Sequence, residues 1–310
     1  MELRDKMACN ADAESIAIPL TRGATASPRL SGALFAAASA IGFGALGIFG
    51  KVAFASGAST ATVLFLRFLA AGAFMAVSMM VLRLPWPRGN DLRILVAMGA
   101  IGYVGQAFCY FSALRHASAG LTALLLYLYP SLVALASAAI GRQRLTRFKA
   151  AAVAVSLCGI ALTMSQGLAG TAAGIAFGAG AAVIYTVYIL AGERVTARTG
   201  AIPAATVIML SAATVYGGAL AIDGAHWPLG AAGWLAVTGI ALFSTVVAMV
   251  CFFAGMQRLG AADTATLSTL EPVVSLLLAF ALLGESLGPL QICGAALVIM
   301  AVVALARAGN

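Results

Sequence analysis

Two charged residues lie deep within long apolar runs of the sequence and are the first candidates for chemistry. Glu271 is the one acidic residue near the middle of any such run, and Arg67 is the most deeply placed basic residue. Ionised groups in apolar surroundings are costly and normally face a cavity or a partner. Glu271 either couples protons or binds a ligand's amine, or it is a structural acceptor beside the helix break at Pro272, and we favour the structural role slightly. Arg67 either binds a ligand's carboxylate or anchors neighbouring helices, and we favour anchoring.

Uncharged polar residues recur at helical spacing in the same runs. Around Glu271, polar residues at i, i+4, i+7 and i+11 share one helical face; they are Thr264, Ser268, Glu271 and Ser275. Of the neighbouring Tyr127 and Tyr129, only one can face inward fully. Tyrosine and amide side chains suit a cavity for an uncharged or zwitterionic molecule with an apolar side chain, and interhelical hydrogen bonding explains each residue alone equally well. The residues predicted to line a pathway are Tyr103, Gln106, Tyr110, Tyr127, Tyr185, Tyr188, Ser268 and Glu271.

The composition predicts that membrane-spanning helices carry these residues. Of the 310 residues, 62% are hydrophobic and 9% are charged, whereas soluble domains are roughly one-quarter charged. A hydrocarbon core about 30 Å thick needs roughly 20 apolar residues per helix, and lipid offers no water to satisfy backbone groups. We therefore predict an all-α integral membrane protein with ten transmembrane helices. Their predicted spans are residues 31 to 54, 60 to 82, 92 to 114, 118 to 140, 149 to 165, 171 to 191, 203 to 222, 231 to 256, 262 to 283 and 288 to 306.

Lysine and arginine fall mainly on one side of this predicted membrane. With the N-terminus in the cytoplasm, 15 of the 18 lie in the N-terminal tail, the cytoplasmic loops or the C-terminus. Lys51 and Arg115 lie outside, and Arg67 lies within a span. Because cytoplasmic loops carry an excess of these residues, both termini are predicted to be cytoplasmic. The net charge of +8 then needs no nucleic-acid partner.

The sequence also resembles itself at an offset of 142 residues. The segment 111–130 aligns without a gap to 253–272, with seven of twenty positions identical, and both segments end on a proline. Each half then contains five spans, so the second half must be inverted relative to the first. Inverted repeats are a recurring transporter architecture. We predict a cytoplasmic tail at 1–29, a first repeat at 30–165 and a second repeat at 166–310.

Glycines and prolines within the spans are interpreted as helix-packing residues. The string from Gly42 to Gly47 matches a dinucleotide-binding pattern, but it lies inside an apolar span and not between a strand and a soluble helix. Small residues instead allow membrane helices to approach closely. The residues predicted to serve packing are Gly42, Gly44, Gly47, Gly174, Gly178, Pro130 and Pro272.

Other function classes receive less support from the sequence. His116 and His226 lie near predicted outer loops without metal-ligand spacing, and no nucleophile or paired-carboxylate motif lies in a span. We predict no enzymatic activity, no cofactor and no metal. A passive channel is a third class. Transport assays in reconstituted vesicles would distinguish it from a transporter, because a transporter shows saturation and exchange and a channel shows neither. Nucleotide-sugar carriage is the nearest alternative within transport, although such anions favour several intramembrane lysines or arginines.

Four local motifs, in this order and spacing, resemble those of a known family. They are Leu66-Arg67-Phe68, the segment 111–130, Leu270-Glu271-Pro272-Val273 and Gly284-Glu285-Ser286-Leu287. Over residues 30 to 307 the chain resembles the drug/metabolite transporter superfamily, in particular its EamA-type permeases. The first half departs from the family pattern at Gly141-Arg142-Gln143-Arg144-Leu145, so its turn between the fourth and fifth helices is not predicted by the resemblance.

The resemblance implies secondary transport, often export, of small metabolites. It is greatest to bacterial exporters of amino acids, which implies a multi-pass protein of the bacterial inner membrane. Aromatic or other neutral amino acids are the expected substrates, with drugs or other metabolites as the alternative. The expected partners are therefore a small neutral or zwitterionic molecule and the lipid bilayer, and the sequence does not predict an oligomeric state.

Overall fold

The computed structural model describes residues 28–117, 119–163, 170–283 and 288–307, and these residues are almost entirely helical. The tail before residue 28 and the Gly284 to Leu287 motif lie outside the described residues. The α-helices are α1 (Pro28–Gly44), α2 (Leu46–Ala55), α3 (Thr60–Val81), α4 (Gly89–Ala97), α5 (Val104–His116), α6 (Ala119–Leu126), α7 (Tyr129–Ala139), α8 (Arg147–Thr163), α9 (Ala172–Thr199), α10 (Ala201–Asp223), α11 (Gly230–Ala241), α12 (Ala248–Leu259), α13 (Ala261–Leu267), α14 (Glu271–Leu283) and α15 (Pro289–Arg307).

Several of these helices join end to end, so the described residues form ten helical stretches. Helix α1 continues into α2 through Ala45, and α6 continues into α7 through the turn at 127–128. A π-helical segment, Met98–Tyr103, joins α4 to α5, and a second one, Leu242–Val247, joins α11 to α12. A 3₁₀ segment, Ser268–Leu270, joins α13 to α14. Eight stretches are long and apolar enough to cross a membrane by length and composition. The other two are α8, with 17 residues, and α15, with 19.

The helical stretches start and end close to the predicted spans, with one clear exception. The sixth span was predicted to end at residue 191, whereas α9 continues to Thr199. The prediction stopped at the charged pair Glu193 and Arg194, but a helix can continue beyond the hydrocarbon and carry charges there. Local signals explain the ends of several helices. The Ser59 and Thr171 side chains cap α3 and α9, and Gly200 and Gly260 end helices with φ values of +88° and +83°.

The helices pair in a pattern that respects the 142-residue offset. Helix α1 packs on α12, and the equivalent helices of the other half, α9 and α5, also pack together. Helix α3 packs on its own equivalent α10, and α8 packs on its equivalent α15. Each of these contacts joins the first half of the chain to the second. The two halves are therefore interlocked around an approximate twofold relation.

Two close contacts at glycines repeat this relation residue by residue. A Cβ atom on Gly32 would lie 2.9 Å from Cβ of Arg258 and 2.8 Å from Cγ of Leu259. A Cβ atom on Gly174 would lie 2.8 Å from the carbonyl carbon of His116 and 2.9 Å from Cβ of Ala117. Both the glycine and its partners are displaced by 142 residues between the two contacts. The packing therefore carries the repeat that the sequence predicts.

Replacing Gly174 with valine is expected to destabilise the fold by about 1–3 kcal/mol, because the added atoms would overlap the backbone at His116. Gly32→Val is expected to do the same at the equivalent contact. The matched control is Gly218→Val, since no heavy atom lies within 4 Å of a Cβ there. Thermal unfolding in detergent measures all three variants. Equal unfolding temperatures for Gly174→Val and Gly218→Val would contradict the close helix contact.

Candidate functional site

A cavity of about 800 Å³ lies between the two halves of the chain. This volume is within the range of roughly 300–1,000 Å³ that is typical of small-molecule sites. Residues of α1, α2, α3, α5, α6 and α7 form most of its wall, and α9, α11 and α14 close it from the second half. Its lining consists of Phe43, Leu46, Gly47, Gly50, Phe54, Thr60, Val63, Leu64, Arg67, Tyr103, Gln106, Ala107, Tyr110, Ala123, Leu126, Tyr127, Tyr129, Tyr185, Ile240, Glu271, Pro272, Ser275 and Leu276.

One helix contact in the structure has no counterpart at the equivalent position of the other half, and the cavity lies where the counterpart would be. Helix α7 packs closely on α13. The equivalents of these helices in the other half are α14 and α6, and among the described residues these two have no comparable packing. Instead, residues of both α6 and α14 line the cavity. The gap between α6 and α14 is therefore the counterpart of a closed contact between α13 and α7.

The cavity has a mouth and a deep end. At the mouth, Phe54 and Thr60 flank the turn at 56–59, and Phe54 is 46% exposed. At the deep end, Tyr129 is 1% exposed. Helix α7 continues from Tyr129 away from the mouth to Ala139. The lining of the cavity therefore extends from the 56–59 turn to the buried start of α7.

A connected set of tyrosine rings lies at the wall, with Tyr103, Tyr127, Tyr129 and Tyr185 in the lining and Tyr188 packed behind it. The ring centroids of Tyr103 and Tyr188 are 5.9 Å apart, and those of Tyr188 and Tyr185 are 5.8 Å apart. The set continues from Tyr185 to Tyr129 at 4.7 Å and from Tyr129 to Tyr127 at 6.3 Å. Such rings offer large apolar surfaces with hydroxyl groups at their tips. This wall can contact an aromatic or aliphatic side chain and still hydrogen-bond a polar group.

The structure brings six of the eight predicted pathway residues to the cavity wall. They are Tyr103, Gln106, Tyr110, Tyr127, Tyr185 and Glu271. Tyr188 is not among the lining residues: it is 3% exposed, packs behind Tyr103 and Tyr185, and its hydroxyl lies 3.9 Å from the sulfur of Met249. Ser268 is fully buried and is likewise not among the lining residues.

Breaks in two helices explain two of the differences from the sequence-based geometry, although not the position of Tyr188 in the unbroken helix α9. The prediction that Thr264, Ser268, Glu271 and Ser275 share one face assumed an unbroken α-helix. The 3₁₀ segment Ser268–Leu270 changes the helical phase, so only Glu271 and Ser275 reach the cavity. The chain also breaks between α6 and α7, which brings both Tyr127 and Tyr129 to the wall instead of one. The breaks directly precede Pro130 and Pro272, which lie at the starts of α7 and α14.

The glycines predicted to serve packing divide into two groups. A Cβ on Gly42 would lie 2.8 Å from that of Ala248, and one on Gly44 would lie 2.8 Å from that of Val274. Gly178 approaches Leu125 in the same way, at 2.7 Å from its Cδ1. The packing role predicted for Gly47 is wrong, because no heavy atom lies within 4 Å of a Cβ placed there. Gly47 instead lines the cavity, where the absence of a side chain contributes to the open space.

A cluster of polar side chains closes the structure beyond the deep end of the cavity. We call Arg142, Gln143, Lys149, Glu193 and Asp263 the polar seal. Arg142 donates to the Glu193 carboxylate at 2.9 Å, and the other oxygen of that carboxylate accepts from the backbone N–H of Ala261 at 2.8 Å. The amide of Gln143 donates to the carbonyl of Leu259 at 2.6 Å and accepts from the N–H of Ala262 at 3.1 Å. The turn after α7 is thereby fastened to α9 and to the turn between α12 and α13.

Asp263 completes the polar seal from the start of α13. Its carboxylate is 4% exposed and forms an ion pair with Lys149 at 2.8 Å, and Arg29 lies 3.5 Å away. Sequence reasoning used Arg142 and Lys149 to orient the chain and noted Arg142 and Gln143 as part of a departure from the family pattern. It did not single out Glu193 or Asp263. Acidic residues next to the apolar runs are rare, and this rarity could have identified Glu193 and Asp263 as candidates. The contacts of Arg142, Gln143 and Lys149 with Glu193, the turn at Gly260 and Asp263 join the two halves of the chain. The hydrogen bond from Ala261 to Glu193 lies within the second half.

Glu271 is the acidic residue on the cavity wall. Its carboxylate lies 3.5 Å from the hydroxyl of Tyr127. The other described carboxylates are paired with arginine or lysine, except for Asp223 at the exposed end of α10. No ion pair to Glu271 is formed by any part of the chain that the structure describes. The carboxylate is therefore positioned to meet a proton or a cationic group that enters the cavity.

Comparison with known proteins identifies the family of this chain. The model of the EamA-like transporter family matches it twice, over residues 30–165 and over residues 172–307. An aromatic amino acid exporter of Ancylobacter novellus, YddG, is 34% identical over 223 residues, which cover 68% of this chain and 72% of the exporter. An uncharacterized transporter of Bacillus subtilis, YcbK, is 26% identical over 85% of this chain and 89% of its own length.

A solved crystal structure shows the same fold. It matches 89% of this chain and 98% of its own chain with a TM-score of 0.80 at 23% sequence identity. The drug/metabolite transporter superfamily, to which the sequence was compared by its motifs, includes the EamA-type proteins. Because the family model matches both halves and the named exporter is similar over two thirds of the chain, this protein is a multi-pass membrane transporter, not an enzyme, and belongs to the EamA-like transporter family.

Proposed function

We propose that this protein is a secondary transporter that exports amino acids, aromatic and other neutral ones in particular, by alternating access. The observation that carries the proposal is the unequal pair of repeat-equivalent contacts: α7 packs on α13, whereas α14 and α6 are apart and line the cavity. Two conformations of a repeated unit can open one midplane site to either side of a membrane. In the alternate state α6 and α14 close and α7 and α13 separate.

The wall of the cavity supports an amino acid as the cargo. Tyrosine and phenylalanine rings provide apolar surface, and Arg67 and Glu271 are the charged side chains in the described lining. Phosphate-bearing substrates would need several basic residues, since each phosphate carries one or two negative charges. One guanidinium and one carboxylate instead suit a molecule with no net charge. The relative YddG, an aromatic amino acid exporter, points to the same chemical class.

We further propose the arrangement of the protein in its membrane. The ten helical stretches each cross the membrane once, as two inverted repeats at 30–165 and 166–310 that follow a tail at 1–29. Both termini face the cytoplasm, as the distribution of lysine and arginine favours. The cavity mouth at 56–59 then faces outward and the polar seal faces the cytoplasm. For a bacterial transporter of this kind, the membrane is the inner membrane.

Counterflow in liposomes tests the proposed function. Purified protein is reconstituted into vesicles. For each member of a panel of amino acids, a drug-like cation and a nucleotide sugar, the vesicles are loaded with the unlabelled molecule and uptake of the same labelled molecule is measured. We expect saturable counterflow with phenylalanine or another neutral amino acid. Failure with every amino acid would contradict the substrate class. Uptake without saturation or exchange would indicate a channel.

Glu271→Gln is expected to retain counterflow but to lose stimulation by a pH gradient, falling to the rate measured without a gradient. The reason is that Glu271 is the carboxylate on the described cavity wall and has no ion-pair partner among the described residues. Uptake is measured with and without a pH gradient. The control is Asp223→Asn, which changes an exposed carboxylate outside the cavity. An unchanged response to the gradient in Glu271→Gln would assign Glu271 a structural role beside Pro272.

A further inference from the structure

Arg67 differs from the other described lysines and arginines in its surroundings. It lies within α3, is 4% exposed, and belongs to the lining of the cavity. The other lysines and arginines whose burial the structure describes are less deeply buried. A cation in such a position is costly unless a partner compensates for its lost hydration.

The direct partners of Arg67 are all uncharged. Its Nε donates to the hydroxyl of Thr245 at 2.6 Å, and one terminal nitrogen donates to the hydroxyl of Tyr103 at 3.1 Å. The guanidinium carbon also lies 5.1 Å from the ring centroid of Phe68 and 5.9 Å from that of Tyr103. No carboxylate of the described chain forms an ion pair with it. The charge is oriented by neutral groups and left uncompensated beside the cavity.

The repeat supplies both groups that orient Arg67. Tyr103 and Thr245 are separated by 142 residues, the offset of the repeat, and each lies in a π-helical segment. The Thr245 hydroxyl in turn donates to the carbonyl of Ile240 at 2.8 Å, so it is free to accept from Arg67. π-helical segments often mark functional sites because they shift the phase of the side chains that follow. Here the two equivalent segments converge on one guanidinium.

The guanidinium itself is not repeated. The residue 142 positions after Arg67 is Met209, which is fully buried in the core of α10. Among the described lining residues, Arg67 therefore supplies the single guanidinium, and it belongs to the first half of the chain. A planar guanidinium matches the two oxygens of a carboxylate, and such charge-assisted pairs are among the strongest hydrogen bonds in proteins.

From this geometry we propose that Arg67 binds the carboxylate of the transported amino acid, and that Tyr103 and Thr245 position it for that contact. The inference rests on the proposed function and specifies which substrate group is recognised. A carboxylate arriving from the cavity supplies the anion that Arg67 lacks in the structure. Molecules of the same shape without a carboxylate leave the guanidinium uncompensated and bind more weakly.

A comparison of phenylalanine with phenylalaninamide separates this role from helix anchoring. The amide has the same ring and amine but no carboxylate. We expect the wild type to favour the acid, and Arg67→Gln to raise the KM for phenylalanine about 10- to 100-fold while leaving the KM for the amide unchanged, as expected for loss of a hydrogen bond to a charged group. The KM of Arg67→Lys for phenylalanine should lie between those of the wild type and Arg67→Gln. Arg258→Gln is the matched control, because Arg258 also lies over an aromatic ring, Phe35 at 4.6 Å, but away from the cavity.

Two further variants test the same role of Arg67 if Arg67→Gln does not fold. Thr245→Val and Tyr103→Phe each remove one orienting hydroxyl, and each should reduce the preference for the acid over the amide by several-fold. Equal loss of acid and amide transport in all these variants would assign Arg67 an anchoring role and overturn the proposal. Equal KM values of the wild type for acid and amide would overturn it as well. A wild type that carries no amino acid would instead contradict the proposed function, and the carboxylate site with it.

Discussion

Gly47→Phe is expected to abolish transport and to leave the protein folded. Gly47 lines the cavity, and no heavy atom lies within 4 Å of a Cβ built on it, so a larger side chain starts in open space at the cavity wall. A ring attached at this point competes with the substrate at an effective concentration of about the millimolar range or above. We expect the rate of counterflow to fall by roughly a hundred-fold or more.

The control for this substitution is Gly218→Phe. Gly218 lies on an exposed part of α10, and no heavy atom lies within 4 Å of a Cβ built there. Both variants should unfold at temperatures close to that of the wild type, and Gly218→Phe should transport normally. Wild-type counterflow by Gly47→Phe would show that the substrate does not use this cavity.

The second large effect is expected at the polar seal. The double variant Glu193→Ala/Asp263→Ala removes both carboxylates, which leaves Arg142, Lys149 and the N–H of Ala261 without these partners. Removing one partner of a largely buried ion pair costs about 3 kcal/mol or more. The contacts of Arg142 and Lys149 with these carboxylates join the two halves only while the seal is closed, so their loss should shift the balance towards the opposite conformation by roughly a hundred-fold.

Thiol labelling measures this shift. In a background with the native cysteines replaced, Ser137→Cys places a thiol at a fully buried position behind the seal. We expect it to react slowly with a water-soluble reagent in the otherwise native protein and rapidly in the seal variant. Asp91→Asn is the control, because the Asp91–Arg198 pair is more exposed and such pairs contribute little. Equal labelling rates in the native and seal-variant proteins would contradict a gating role for the seal.

Much of the architecture could be predicted because long apolar runs and charge boundaries are local properties of the sequence. The ten helical stretches lie near the predicted spans, and the 142-residue offset appears again in the contacts of Gly32 and Gly174. The end of α9 at Thr199 could not be predicted in the same way. Charged residues mark the edge of the hydrocarbon and not the end of a helix.

The site could be predicted only in part, because helical spacing assigns faces correctly only within an unbroken helix. Tyr103, Gln106 and Tyr110 follow one another on one stretch, and all three reach the cavity. Tyr129 and Ser268 lie beside breaks, and there the spacing rule failed. The polar seal joins residues more than 50 positions apart, such as Arg142 and Glu193, and no local pattern announces contacts of that kind.

The claim that most needs a direct test is that α6 and α14 approach each other when α7 and α13 separate. Ala134 on α7 and Thr266 on α13 lie at the same crevice near the seal, and their equivalents are Leu276 on α14 and Leu124 on α6. Cysteine pairs at each of these positions, treated with a short thiol cross-linker, report the two contacts separately. We predict that the seal variant reduces cross-linking of Ala134→Cys with Thr266→Cys and increases that of Leu124→Cys with Leu276→Cys. Absence of the second cross-link in every condition in which transport proceeds would contradict alternating access around this cavity.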